Sequence, residues 1–341
     1  MIFQKADVEH FTEILCDYET MKDLDENATK HSFLLPTRSK GSKRCSRRDV
    51  LVGLFVLILL SAGGIILAMY VETQSNYVDL PTACKHGCTN YSHSQWTQLL
   101  QAHVVVGGAK QGVPGSLVEY TEIRSNRRTN GFDAYLNFLK NIDLKKVTHE
   151  DRLPLFLNAY NVFAVDMVIS NLCPGDVFCQ SIRDVPNVPF PNTVWKWQRF
   201  NVGGIVMSLD GIEHGILRPN YNDARIHAAV NCASISCPDL LNRAYEPWNV
   251  QSALSQQTKL FLENIAKGLF IEDPTGSNKI KLSKIFLWFK DDFSNGNVAT
   301  FLKDYESPKT NIKTFLDKYG ADDTTKWDIQ YLDYNWNLNG E

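Results

Sequence analysis

Neither sign of charge dominates this sequence. Among its 341 residues, 35 lysines and arginines stand against 38 aspartates and glutamates, a formal net charge of −3. That balance leaves no basic footprint for a phosphate backbone, so nucleic acid is not an expected partner. No internal repeat is present, and no motif calls for a cofactor. Hydrophobic residues make up 44% of the chain and charged residues 21%, the proportions of a globular protein able to bury a sizeable core.

The sharpest absence is local. Residues 50–71, VLVGLFVLILLSAGGIILAMYV, contain no charge and no polar stripe. Such a run, at about 1.5 Å per residue, spans the ~30 Å of a bilayer's hydrocarbon as a helix. Arg38, Lys40, Lys43, Arg44, Arg47 and Arg48 precede it, while Glu72 and Asp79 follow. Excess lysine and arginine marks the cytoplasmic side. The expectation is a type II single-pass protein: a cytoplasmic tail (1–48), mostly disordered, and a signal-anchor helix in the lipid bilayer (49–71). A stalk (72–95) and one extracellular or lumenal ectodomain (96–341) follow. A cleavable signal would sit at the start of the chain rather than near residue 50.

That topology divides the eight cysteines. Cys16 and Cys45 face the cytosol; Cys84, Cys88, Cys173, Cys179, Cys232 and Cys237 face an oxidising space, where local disulfides are the default. Cys84–Cys88 and Cys173–Cys179 are expected as bonds, and Cys232 with Cys237 is a third candidate pair. The sequon Asn90-Tyr91-Ser92 is a candidate glycan acceptor. Irregular spacing disfavours a zinc site built from Cys84, His86, Cys88 and His93.

The ectodomain pattern is α+β. Residues 131–142 are amphipathic at helical period, and 153–169 are apolar on nearly every side, predicting a buried central helix. Residues 195–208 carry two β-prone runs around Gly203-Gly204, a hairpin signal. A capped helix is expected from Asp210 through Arg218, strands at 226–230 and 280–289, helices at 251–267 and 311–319, and a last strand and loop over 328–339.

Candidate chemistry is concentrated in a few places. Asn158 and Asn161 share a face of the central helix, either stitching helix to loops or orienting a catalytic histidine. Glu213, His214 and Arg218 lie within two turns, able to hold a substrate anion or to form a surface ion pair. In RIHAAVNCASISCPDL (225–240), His227 and Cys232 are five apart and would point to opposite faces of a strand, so His214 is the easier partner for the Cys232 thiol, a candidate nucleophile. His214 or His227 would serve as its base and Asn158 as orienter, with Arg218, Glu213 and Asn161 on the substrate. The rival is a non-enzymatic receptor or interaction module in which the same groups form a structural network. A metal held by His214, His227 and Glu213 is the weakest alternative.

NAYN at 158–161, IEHGILR at 212–218, RIHAAVNCASISCP at 225–238 and the terminal YNWNLN together resemble the domain of unknown function 547 family. The resemblance implies a likeness over 96–341 and a pattern centred on Asn158, Asn161, Glu213, His214, Arg218, His227 and Cys232. It implies no established activity.

Overall fold

A computed structural model of the chain describes residues 78–341 apart from 190–192, 295, 306, 308–309 and 323. The expected cytoplasmic tail and membrane span lie outside the described residues. Within them the architecture is α+β, with helices surrounding three small sheets.

Helix α1 (Ser94–His103) leads into the hairpin β1 (Val104–Lys110) and β2 (Val113–Val118). The short α2 (Tyr120–Ser125) and the amphipathic α3 (Phe132–Asn141) follow. Residues 78–93, part of the expected stalk, lie against this body. The Cys84 amide donates to the Val147 carbonyl, and His93 Nδ1 pairs with the Tyr135 hydroxyl at 2.8 Å.

The centre of the fold is α4 (His149–Ser170), in which every residue from Arg152 to Ile169 is buried. By length and composition α4 could also cross a membrane, but 94% of its most apolar window is buried inside the protein. It begins four residues before the apolar run, because the Thr148 hydroxyl accepts from the Asp151 amide and Glu150 and Asp151 suit the positive helix end. Pro154 therefore sits inside the helix rather than at its start.

The expected hairpin forms as β3 (Phe200–Val202) and β4 (Ile205–Met207), although β3 is shorter than the β-prone run before it. Gly203 and Gly204 take φ of 60° and 85°, and a Cβ at Gly203 would meet Leu144 at 2.6 Å. The chain then runs as one helical segment, α5: α-helix at Leu209–Ile212, a π turn at Glu213–Leu217 and α-helix again at Arg218–Tyr221.

Two strand expectations fail. Ile226–Ala229 is a helical turn, α6, because the Asp223 carboxylate accepts from the Arg225 amide and starts it. All four of its residues are buried, so no amphipathic period betrays it. The run 280–289 is strand only as far as Leu282; after Ser283, Ile285–Trp288 coils as α8. Between them α7 (Val250–Glu263) packs on α6. The last sheet orders β5 (Leu269–Phe270), β6 (Lys279–Leu282) and β7 (Asp328–Tyr331), with β6 and β7 parallel. A second, smaller core gathers between α7 and the helix α9 (Ile312–Tyr319), around Leu262, Phe286 and Phe315.

Cys84–Cys88 and Cys173–Cys179 are disulfides, with Cα separations of 5.7 and 5.1 Å. Cys232 and Cys237 are free thiols, so the third pairing is absent.

Candidate functional site

A cavity of about 200 Å³ opens between α5, the 227–237 segment, α8 and the C-terminal residues. Trp195, Trp288, Phe289, Tyr334 and Trp336 form its aromatic wall, and Glu213, His214, His227, Cys232 and Cys237 its reactive one. Four of the seven sequence-predicted site residues, Glu213, His214, His227 and Cys232, thus meet here, from elements distant in the chain.

The charged groups form a closed network. Arg218 grips Asp292 with Nε at 2.5 Å and Nη2 at 2.9 Å, a bidentate pair. Arg218 Nη1 also bonds to His214 Nδ1. Since a guanidinium only donates, Nδ1 must accept, which leaves His214 Nε2–H facing Asp210 at 3.5 Å. His227 Nε2 lies 2.6 Å from Asp292 and its Nδ1 lies 3.5 Å from Glu213. Its ring stacks on Phe289 with centroids 4.1 Å apart.

Burial pulls His227 down, but the bonds to Asp292 and Glu213 outweigh it and hold the imidazole above its ordinary value. Burial pushes Glu213 up, yet the hydrogen bond and charge of His227 bring it below the carboxylate norm. Asp292 is lowered in the same way by His227 and Arg218, against burial. The network is an imidazole clasped by two carboxylates, which favour its protonated form.

The thiols form a separate cluster. The Cys232 amide donates to Cys237 Sγ at 3.0 Å. Cys232 Sγ lies 3.1 Å from the Ser234 hydroxyl and 3.4 Å from that of Tyr334. Hydrogen bonding from Cys237, aided by Ser234 and Tyr334, lowers the Cys232 thiol to about 7 against the effect of burial. Burial pushes Cys237 the other way, well above the usual thiol range. Ala233, next to Cys232, holds φ at 63°, a left-handed conformation that alanine rarely adopts.

Asn161 builds the segment between His227 and Cys232. Its Nδ2 donates to the Ala229 carbonyl at 3.0 Å, and its Oδ1 accepts from the Asn231 amide at 2.8 Å. Asn158 makes the same two-point clasp on Tyr245, at 2.7 and 2.9 Å. Its amide is thus spent on backbone rather than on an imidazole, and it does not line the cavity. The bonds of Cys232 Sγ run to Ser234, Tyr334 and Cys237, not to His214 or His227.

Sequence reasoning missed Asp292, Ser234 and the role of Tyr334. Asp292 lies 65 residues from His227 in an unremarkable KDD run. Tyr334 opens the terminal YNWNLN motif, which was the available signal.

Residues 144–262 match the family described as "Protein of unknown function, DUF547". The DUF547 match contains α4, α5, α6 and the cysteine segment, hence Asn158, Asn161, Glu213, His214, Arg218, His227 and Cys232. It is narrower than the expected 96–341, and Asp292 and Tyr334 fall beyond it. No curated protein and no solved structure matches the chain.

Proposed function

We propose that the cavity is the active site of a thiol-dependent hydrolase or acyltransferase with Cys232 as nucleophile. The observation that carries this reading is the Cys232 thiol, lowered to about 7 in the wall of an aromatic cavity. Near neutral pH about half of such a thiol is thiolate, so attack on an acyl carbon needs no base on the sulfur. Tyr334, whose hydroxyl is held protonated by burial, remains a donor toward the sulfur or a developing oxyanion.

Because neither imidazole is bonded to the sulfur, the arrangement departs from a cysteine–histidine–asparagine triad. It suits esters and thioesters, whose leaving groups need less protonation than an amide nitrogen. The aromatic wall fits an apolar acyl chain or ring. In this reading Glu213, His214, Arg218 and His227 shape and polarise the cavity floor, Asn161 sets the cysteine segment and Asn158 anchors Tyr245. The test is alkylation of folded, unreduced protein with iodoacetamide across pH, beside hydrolysis of a panel of acyl thioesters. Labelling of Cys232 with an inflection near pH 7 and thioester turnover support the proposal; an inert Cys232 defeats it.

A second reading has its own observation. Every ring nitrogen of His214 and His227 is engaged within the network, as in a structural core. On that reading the protein is a non-enzymatic receptor or interaction module, and the thioester panel returns no turnover.

The proposed setting is the type II membrane topology, with the bilayer crossed by residues 49–71 and the domain extracellular or lumenal. It is supported by the uncharged run, the basic residues before it and the two disulfides beyond it. Exposed Asn90 would carry a glycan. Digestion of the region after residue 72 from the cytosolic side of sealed vesicles would reverse this topology.

A further inference from the structure

Among the described residues, Arg152 is a buried cation with no anion. It sits in the first turns of α4 and is 6% exposed. Its Nη2 donates to the carbonyls of Pro81 at 2.7 Å and Leu144 at 2.8 Å, both neutral groups. Its Nε is sealed from solvent and has no hydrogen-bond partner among the described residues. Among the described residues no carboxylate forms an ion pair with it, and burial lowers the guanidinium from its ordinary value. Taking a charge out of water without a counter-charge is expensive.

This side chain lines a second cavity, of about 480 Å³, on the other face of α5 from Cys232. His149, Asn220 and Tyr221 line it with Arg152, and the His149 ring stacks on Tyr221. Asp79 also lines it, but it is exposed and is not among the groups acting on the guanidinium. Glu150 and Asp151, in the same turn of α4, do not pair with Arg152 either.

We propose that this second cavity binds an anionic oxygen group, of which phosphate is the best match, with Arg152 as its counter-ion. The ligand supplies the missing negative charge; with Nη2 engaged and Nε sealed, it pairs with the guanidinium as a counter-charge rather than across the whole donor fork. The cavity has room for more than a bare ion. A free phosphate-bearing metabolite and a phospholipid headgroup present the same chemistry.

The full chain in non-ionic detergent is titrated by calorimetry with inorganic phosphate and with dihexanoyl phosphatidic acid. Saturable one-to-one binding is expected, weakened about tenfold or more in Arg152→Gln, as befits the loss of a charge-assisted bond. Where that variant does not fold, His149→Glu decides. This residue is exposed at the first position of α4, where a carboxylate suits the helix end, and the added charge repels the ligand. Tighter binding of the lipid assigns the headgroup as source; equal affinity assigns free phosphate. No saturable binding of either probe, or unchanged affinity in His149→Glu, overturns the proposal.

Discussion

The two polar walls of the Cys232 cavity are held by opposite means. In the charged wall, Arg218, Asp292, His227 and Glu213 pair with one another, and each pKa moves toward the ionised form. In the thiol wall, neutral donors surround one sulfur and drive the two cysteines apart, Cys232 down and Cys237 up. A closed ion network spends its charge on itself. A thiol surrounded by weak donors keeps its charge available. On the proposed function, stability belongs to the first wall and reactivity to the second.

The largest effect should come from the sulfur. Cys232→Ser should remove pH-dependent alkylation at this position and cut thioester turnover on the order of 10³-fold or more, with the fold retained by circular dichroism. Turnover that survives would move the chemistry to the charged wall.

His227→Gln should come next, and in stability rather than reactivity. Leaving Glu213 buried without its cation costs about 3 kcal/mol, read from urea unfolding. The pH dependence has a definite sign. A histidine whose folded pKa is raised stabilises fully below its ordinary 6.5, and that stability is lost as pH rises through the raised value. The wild type should therefore weaken on going alkaline, and the variant should lose that slope while Cys232 keeps its inflection near 7. A shift of the thiol inflection without unfolding would break the division between the walls.

The smallest change sharpens it. Tyr334→Phe deletes one of the sulfur's donors, worth about 1 kcal/mol, so the Cys232 pKa rises and alkylation at pH 7 slows several-fold. Stability should be nearly unchanged.

Much of this arrangement was legible before any coordinates. The central helix announced itself because an apolar run long enough for five turns has few other places to go, and Gly203-Gly204 marked its hairpin by backbone chemistry alone. Glu213, His214, His227 and Cys232 were recognisable and do line one cavity. What failed has physical reasons. The turn Ile226–Ala229 is buried all round, so neither a two-residue nor a 3.6-residue period survives in it. Asp292 carries no local signal, since an aspartate's value depends on what packs opposite. Asn158 was a sound choice of buried polar group, but the chain nearest to it was the Tyr245 backbone rather than a histidine.

The C-terminal residues give the thiol cluster a property of timing. The loop around Cys232 borrows its fastening from the chain's last stretch. Ile235 donates to the Asn337 carbonyl, Ser236 to that of Asn335, and Asn339 to that of Ala233, while Tyr334 reaches the sulfur itself. One donor to the sulfur, Tyr334, is thus threaded about a hundred residues later than Cys232. During synthesis the cysteine emerges long before the strap that closes over it. The sulfur's set of donors is complete only when the final strap docks, so the labelling rate of Cys232 reports that last step of folding.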